Sequence, residues 1–453
     1  MKILIRGGGD LATGIAARLY HSGHNILMTE REAPLTVRRT VAFSRAVYEG
    51  SAKVEDMEAR LVHFLDEAYA VMGDGNIALI VDEAAEIRKE FCPDVVVDAI
   101  LAKKNLGTKI TDAPLVVGVG PGFYAGQDCH CVVETKRGHT LGQVIYDGAA
   151  LPNTGVPGEV GGYTTERLLK ASDDGVMEPL ISIGDMVEKG QIAAYTGGEP
   201  VYAAMSGIVR GMLQKGVSVV KGMKIGDIDA RCEKEHCWTI SDKARAIGGG
   251  VLEAVQCYEA VKGRFAMVML AAGTGSRYGK DKLSEVLAGK PLYQYSMERL
   301  EAFCGRERFV VTGNAVILEE AKKRGISGIV NREPHLGISH SLQLGLQAVL
   351  REKPEVEGVL FGVCDQPGLK VSTIQKIWNA AAVRPGKIIC AGKDGQPGNP
   401  VLWPKKYFGE LLELKGDTGG RAVMRKYPEQ VYVVEADERE LKDIDRKEDM
   451  GSF

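Results

Sequence analysis

Apolar and polar positions along the chain fall into blocks whose period changes several times. KILIR near the start is a short buried run; DLATGIAARLYHSG then repeats its apolar residues at helical spacing, and HNILMTE reads as a second strand. Farther on, PDVVVDAIL and PLVVGVGPG are apolar runs rich in β-branched residues and closed by turn formers. Strands separated by helices predict a parallel sheet with right-handed crossovers. From about Gly175 the texture changes to short alternating runs broken by glycine, and GDMVEKGQ returns in weaker form as GVSVVKGMKIGD. Two such half-units predict a small β sandwich or barrel. DKARAIGGGVLEAVQCYEAVKG reads as a helix running out to a linker, after which FAMVML opens a second strand–helix alternation. The predicted class is α/β. A Rossmann-like domain spans 1–170, a β sandwich 171–232, a returning helix and linker 233–262, and a second, mostly parallel domain 263–453, with the main boundary at about 262–264.

At 453 residues the chain exceeds one core. A net charge of -3 gives no electrostatic case for nucleic acid or a membrane surface. No run approaches the ~20 apolar residues of a membrane span. MKILIRGGGD reads as a strand and loop, not a signal peptide. With nine cysteines and no signal, the expected location is the cytoplasm, with thiols reduced. Cys129, His130 and Cys131 lie in a strand pattern that points neighbours to opposite faces. Cys232, His236 and Cys237 offer metal-ligating atoms but no accompanying CxxC pair. Ordinary core or surface cysteines are the preferred reading of both clusters.

Chemistry concentrates first at Leu270-Ala271-Ala272-Gly273-Thr274-Gly275-Ser276-Arg277-Tyr278-Gly279, followed by Lys282. This loop leaves the carboxyl end of a strand, where α/β sheets bind ligands. Its small residues let backbone N–H groups approach phosphate oxygens, and Arg277 and Lys282 add positive charge. A plain strand-to-helix turn would not need that charge, and the GxxxxGK[ST] pattern is absent. GVLFGVC ends in Asp365-Gln366-Pro367, a carboxylate placed after a strand. Alone it reads as a turn or helix cap; beside the loop it reads as a magnesium ligand. Gly337 to Ser341 opens a helix whose N–H groups suit an anion.

LAAGTGSRYG with Lys282, HLGISHSLQLGL, CDQP, GQPGNPVLW, KGDTGGRAVM and DIDRKED occur in the order found in molybdenum cofactor cytidylyltransferases. Residues 264–453 thus resemble the MobA-like branch of the nucleotidyltransferases. The LAAG and DQP forms are similar to the CTP-using members. The resemblance implies that CTP and molybdopterin give molybdopterin cytosine dinucleotide and pyrophosphate. It implies Lys282, Arg277 and Asp365 as catalytic residues, with Asp365 and Asp445 holding Mg²⁺. The nucleotide would meet Leu270, Ala271, Ala272, Gly273, Thr274, Gly275, Ser276, Gly279, Thr312 and Asn331. The second substrate would meet Gly337, Ser339, Ser341, Gly398, Asn399 and Pro400. His340, and Arg446-Lys447 beside Asp445, depart from the family pattern.

Gly7-x-Gly9-x-x-Ala12 follows a strand and opens a helix, and Glu30 ends the next strand. That context suits a dinucleotide fingerprint; a ligand-free scaffold and a site for a different anion stand beside it. Arg6 and Asp10 are atypical of simple NAD enzymes. Arg38 and Arg39 read either as an anion site or as a solvated helix face. GGGDLATGIAARL, VDAILAKKNLGT, PLVVGVGPGFYAG, LPNTGVPGEVGGY and ISDKARAIGGGVLEAV resemble YqeB-type accessory proteins of selenium-dependent molybdenum hydroxylases. The implied role is maturation of the hydroxylase, with the apo-hydroxylase as partner. The β segment is similar to biotinyl and lipoyl carriers, but the expected hairpin tip, Gly197-Gly198-Glu199-Pro200, has no lysine. Two other readings remain at this stage: an NAD(P)-dependent oxidoreductase and a nucleotide-binding chaperone without turnover.

Overall fold

The structure is a computed structural model and describes residues 1–153, 155, 159–272 and 282–453. Two compact units divide the chain, Met1–Val255 and Gln256–Phe453. The division falls inside the helix Asp242–Glu259, ahead of the linker expected at about 262–264. Among the described residues, no helix is long and apolar enough to cross a membrane.

Strands of the first unit are β1 (Lys2–Arg6), β2 (Asn25–Glu30), β3 (Ser51–Val54), β4 (Met57–Val62), β5 (Ile77–Val81), β6 (Val95–Asp98), β7 (Leu115–Val119), β8 (Cys131–Val133) and β9 (Val144–Ile145). They form one sheet in the order β3-β4-β5-β2-β1-β6-β7-β8-β9. The hydrogen-bonded neighbours from β4 to β8 run parallel. Their near-continuous apolar runs suit a sheet covered on both faces. From β1 the chain builds outward through β2, then returns to add β6 on the other side of β1. The carboxyl ends of β1 and β6 thus flank a switch point, where ligands of open α/β sheets bind.

The helix Asp10–His21 follows β1. A Cβ at its Gly14 would lie 2.6 Å from the Ala244 Cβ and 2.9 Å from the Ala244 backbone. The close packing of two helices therefore requires glycine there. Gly14→Val is expected to destabilise the first unit by about 2–3 kcal/mol through overpacking. Thermal unfolding followed by circular dichroism checks this, and an unchanged midpoint would refute it.

The β module lies within the first unit. Its strands are β10 (Leu168–Lys170), β11 (Gly175–Pro179), β12 (Met186–Val187), β13 (Ile192–Thr196), β14 (Glu199–Tyr202), β15 (Gly207–Met212), β16 (Ser218–Val219) and β17 (Lys224–Asp229). Two four-stranded sheets result, β10-β17-β15-β12 and β14-β13-β11-β16. The two related segments supply β12 on one sheet and β16 on the other, as half-units of a sandwich should. Gly197 and Gly198 turn β13 into β14 with both φ positive, +61° and +88°, the signature of a tight two-residue hairpin.

The second unit contains β18 (Phe265–Leu270), β19 (Val286–Leu287), β20 (Lys290–Pro291), β21 (Glu307–Thr312), β22 (Ser327–Val330), β23 (Gly358–Val363), β24 (Ile388–Lys393), β25 (Gln396–Pro404) and β26 (Val431–Glu435). Its main sheet has the order β22-β21-β18-β23-β25-β24-β26, with β25 antiparallel to both neighbours. Val268, Val311, Leu346, Phe361, Cys390 and Trp403 belong to its buried core. As in the first unit, the order reverses at the first strand: β21 and β22 lie on one side of β18, and β23 on the other.

Candidate active site

In the second unit, the ends of β18 and β23 are tied together, with the Cys364 amide donating to Leu270 O (3.1 Å). Ala271 and Ala272 leave β18; Gly273, Thr274, Gly275, Ser276, Arg277 and Gly279 lie outside the described residues. The Ala271 amide donates to Val311 O (2.8 Å), and the buried Thr312 hydroxyl donates to Ala271 O (2.9 Å). Thr312 therefore fixes the root of the loop from behind. Asn331 is also buried; its amide donates to Ser341 Oγ (2.9 Å) and its carbonyl accepts from the Glu333 amide (2.9 Å). It joins the end of β22 to the helix Ile338–Glu352.

Three charged residues meet beside that root. Lys282 Nζ lies 2.7 Å from Asp365 Oδ2 and 3.5 Å from Asp445 Oδ1. Burial lowers the Lys282 pKa, but the two carboxylates outweigh it and hold the ammonium above its ordinary value. Asp365 Oδ1 is buried without a hydrogen-bond partner among the described residues. A buried carboxylate oxygen with free lone pairs fits a cation ligand, as Mg²⁺ sites using one or two carboxylates plus phosphate require.

Sequence reasoning missed Asp443. Desolvation, then the charges of Asp365 and Asp445, push its carboxyl up to about 6, and a hydrogen bond from Gln366 opposes them. The signal was the spacing Asp443-x-Asp445: in an extended segment, residues two apart share a face. The Ile444 amide between them donates to Asp365 O (2.9 Å), which locks this segment to the end of β23. Also missed was Arg299, 4% exposed on the helix Leu292–Ala302. Its guanidinium donates to Pro367 O (2.6 Å) and Leu369 O (2.7 Å), and so pins the turn that presents Asp365. Burial lowers the Arg299 pKa to about 10.

Residues assigned to the second substrate fall on two elements. Gly337 caps the helix Ile338–Glu352 with φ +86°, and a Cβ there would meet Gly416 O at 2.4 Å. Ser339 Oγ donates to the same Gly416 O (2.7 Å), so this helix start is bound to the KGDTGG segment. Gly398, Asn399 and Pro400 lie on β25, with a cis bond between Asn399 and Pro400.

The first unit assembles its own candidate site. Gly7, Gly9, Ala12 and Glu30 line one cavity at the end of β1. Glu30 accepts from the Gly8 amide (2.9 Å) and the Arg31 amide (2.9 Å); desolvation raises its pKa against those bonds. Arg6 turns away into a buried pair with Asp98 (3.0 Å). Arg38 is buried, which removes the reading of a solvated helix face. Arg39 instead anchors the β module through Met212 O (2.8 Å) and Gln214 Oε1 (2.6 Å). Cys129, His130, Cys131 and Cys237 are buried and Cys232 is exposed. Among the described residues, no group of three or more His, Cys, Asp or Glu side chains is arranged to hold a metal. The Asp365 and Asp445 pair is a smaller set, which a metal-bound triphosphate would complete.

Fold and site define the second unit as a nucleotidyltransferase domain: residues 267–431 match the family described as the MobA-like NTP transferase domain. In its N-terminal half the chain is 50% identical over 253 residues to the uncharacterized protein YqeB of Escherichia coli K12, covering 56% of this chain and 47% of that protein. It is 35% identical over 80 residues to the probable molybdenum cofactor guanylyltransferase of Pyrococcus furiosus, covering 17% of this chain and 41% of the relative. The chain thus spans about half the length, or less, of these curated relatives. A crystal structure of the Mycobacterium sp. strain JC1 homologue of Rv0371c is 24% identical, with 42% of this chain and 95% of that chain covered and a TM-score of 0.36.

Proposed function

We propose that the second unit transfers the cytidylyl group of CTP to molybdopterin, and that the first unit serves maturation of a molybdenum hydroxylase. The observation that carries the transferase reading is the Lys282 ammonium set against Asp365 and Asp445 beside the root of the 270–279 loop. The acceptor is a phosphate monoester. One of its oxygens attacks the α-phosphorus, a new P–O–P bond forms, the bond to the β-phosphate breaks, and pyrophosphate leaves with the electron pair. The nucleophile is already an anion, so positioning and charge neutralisation are the work to be done. Asp365 and Asp445 would hold Mg²⁺, which supplies positive charge to the triphosphate. Lys282 would leave its carboxylates for the phosphates as substrate binds, and Arg277 would add to it.

Two observations bear on the choice of base in different ways. The Pyrococcus furiosus relative is named as a guanylyltransferase, whereas the LAAG and DQP forms of this sequence resemble CTP-using members. Fusion of the units keeps a labile cofactor at high effective concentration between synthesis and use.

The test is incubation of the full chain with molybdopterin, Mg²⁺ and either CTP or GTP, measuring pyrophosphate and the dinucleotide. Product is expected from CTP at least about tenfold faster than from GTP, a preference of ~1.4 kcal/mol in the transition state. Preference for GTP would overturn the base assignment; no product from either would overturn the transferase reading.

A further inference from the structure

The cavity of the first unit has a volume of about 880 Å³, ample for a molecule of dinucleotide size. One part of its wall is the Gly7–Gly9 loop with the start of the helix Asp10–His21, and Ala99 to Leu101 after β6 form another. The β module supplies a third part through Arg167, Arg210 and Lys224. Among the described residues, nine that line it are lysine or arginine, and the lining acids are Asp10, Glu30 and Asp227.

Asp242, outside the lining, holds Arg137 at 2.7 Å, but the remaining lining cations outnumber the carboxylates that face them. Arg167, Arg210 (2.6 Å) and Lys224 (3.7 Å) all converge on the single buried carboxylate of Asp227. Arg210 also reaches Asp229 (3.1 Å), but Arg231 shares that carboxylate. Arg38 lies 3.5 Å from Asp10 and donates to the neutral carbonyls His236 O (3.0 Å) and Thr239 O (3.3 Å). The side chains of Arg38 and Arg167 are each only 9% exposed, and each keeps a buried Nε without a hydrogen-bond partner among the described residues. Burial lowers the pKa of Arg38 and of Lys224, the mark of cations held from water without full compensation. An anion in the cavity would supply it.

Glu30 narrows the class of anion. The acid expected to hold a ribose hydroxyl already accepts from the loop's Gly8 amide and from Arg31. Cations from the β module, not that acid, dominate the space beyond the loop. We infer that this cavity binds a pyrophosphate-linked dinucleotide carrying a further anionic group, with the diphosphate at the Gly7–Gly9 loop and the further group at the Arg38–Arg210–Lys224 wall. The product of the proposed transferase reaction is also a pyrophosphate-linked dinucleotide, so the cavity would suit its retention; that link alone rests on the transferase reading.

NADP⁺ and NAD⁺ serve as probes because they differ by one phosphate. In equilibrium dialysis with the full chain, NADP⁺ is expected to bind at least about tenfold more tightly than NAD⁺, the effect of one charge-assisted contact set. Lys224→Glu and Lys243→Glu, both on the cavity lining, should each weaken NADP⁺ at least about tenfold, with circular dichroism unchanged. Equal binding of the two probes, binding of neither, or NADP⁺ binding indifferent to both substitutions would overturn the inference. Dialysis needs no turnover: NADP⁺ binding retained in a Lys282→Ala chain that forms no product separates this site from the transferase.

Discussion

Asp365→Asn is expected to lower the proposed cytidylyl transfer by about 10³ or more while leaving the fold intact, since ~4 kcal/mol of transition-state charge stabilisation is within reach of a carboxylate that holds a metal. The substitution keeps the shape of the side chain and the backbone carbonyl that accepts from Ile444. It removes the charge that draws Lys282 to 2.7 Å and that would give Oδ1, unpartnered among the described residues, its affinity for a cation. Pyrophosphate release at saturating CTP and Mg²⁺ measures the effect, and the thermal midpoint serves as the control. The reading of a chaperone that binds nucleotide without turnover expects the variant and the parent to be equally inert. Turnover within tenfold of the parent would remove Asp365 from the reacting centre. A comparison variant, Asp443→Asn, touches the same cluster without facing Lys282 at hydrogen-bond distance.

Local signals carried most of the architecture. Apolar runs ending in glycine or aspartate marked β1, β18 and β23, because buried parallel strands need continuous apolar residues and their ends need turn chemistry. Asp365 drew notice because it follows such an end, and Lys282 because of its spacing after the small-residue loop. Arg299 was not legible, since nothing within its own helix requires an arginine; its partners lie 68 and 70 residues away. The β module's Arg167, Arg210 and Lys224 were likewise silent, being scattered over strands that only folding brings to one carboxylate. Arg38 was noticed and left between two readings, and only its burial decides against a solvated face. Sequence reasoning took Glu30 for a ribose contact; its bonds show a carboxylate that also serves the loop's Gly8 amide and the neighbouring Arg31 amide. Pattern thus locates sites at strand ends, whereas long-range polar partners are settled by topology.

Arg299→Met should therefore produce the second large effect, a loss of about 2–4 kcal/mol in the stability of the second unit. The estimate follows from leaving the Pro367 and Leu369 carbonyls without their donor, at about 1–3 kcal/mol each, offset in part by no longer burying a cation. Methionine is chosen because it fills much of the same volume and so limits the cavity contribution. Urea unfolding of the full chain reports it through the buried Trp378 and Trp403, both in this unit. The transition of the first unit, followed by far-UV circular dichroism, should stay where it was. Activity gives the independent readout: the turn from Gln366 to Leu369 directly follows Asp365, the proposed metal ligand, so kcat should fall more than the KM for CTP rises. Rescue should be poor in Arg299→Lys, whose single ammonium cannot reproduce the two-pronged contact with both carbonyls. If Arg299→Met unfolds at the parental urea concentration with unchanged kcat, the guanidinium is not what holds Asp365 in place.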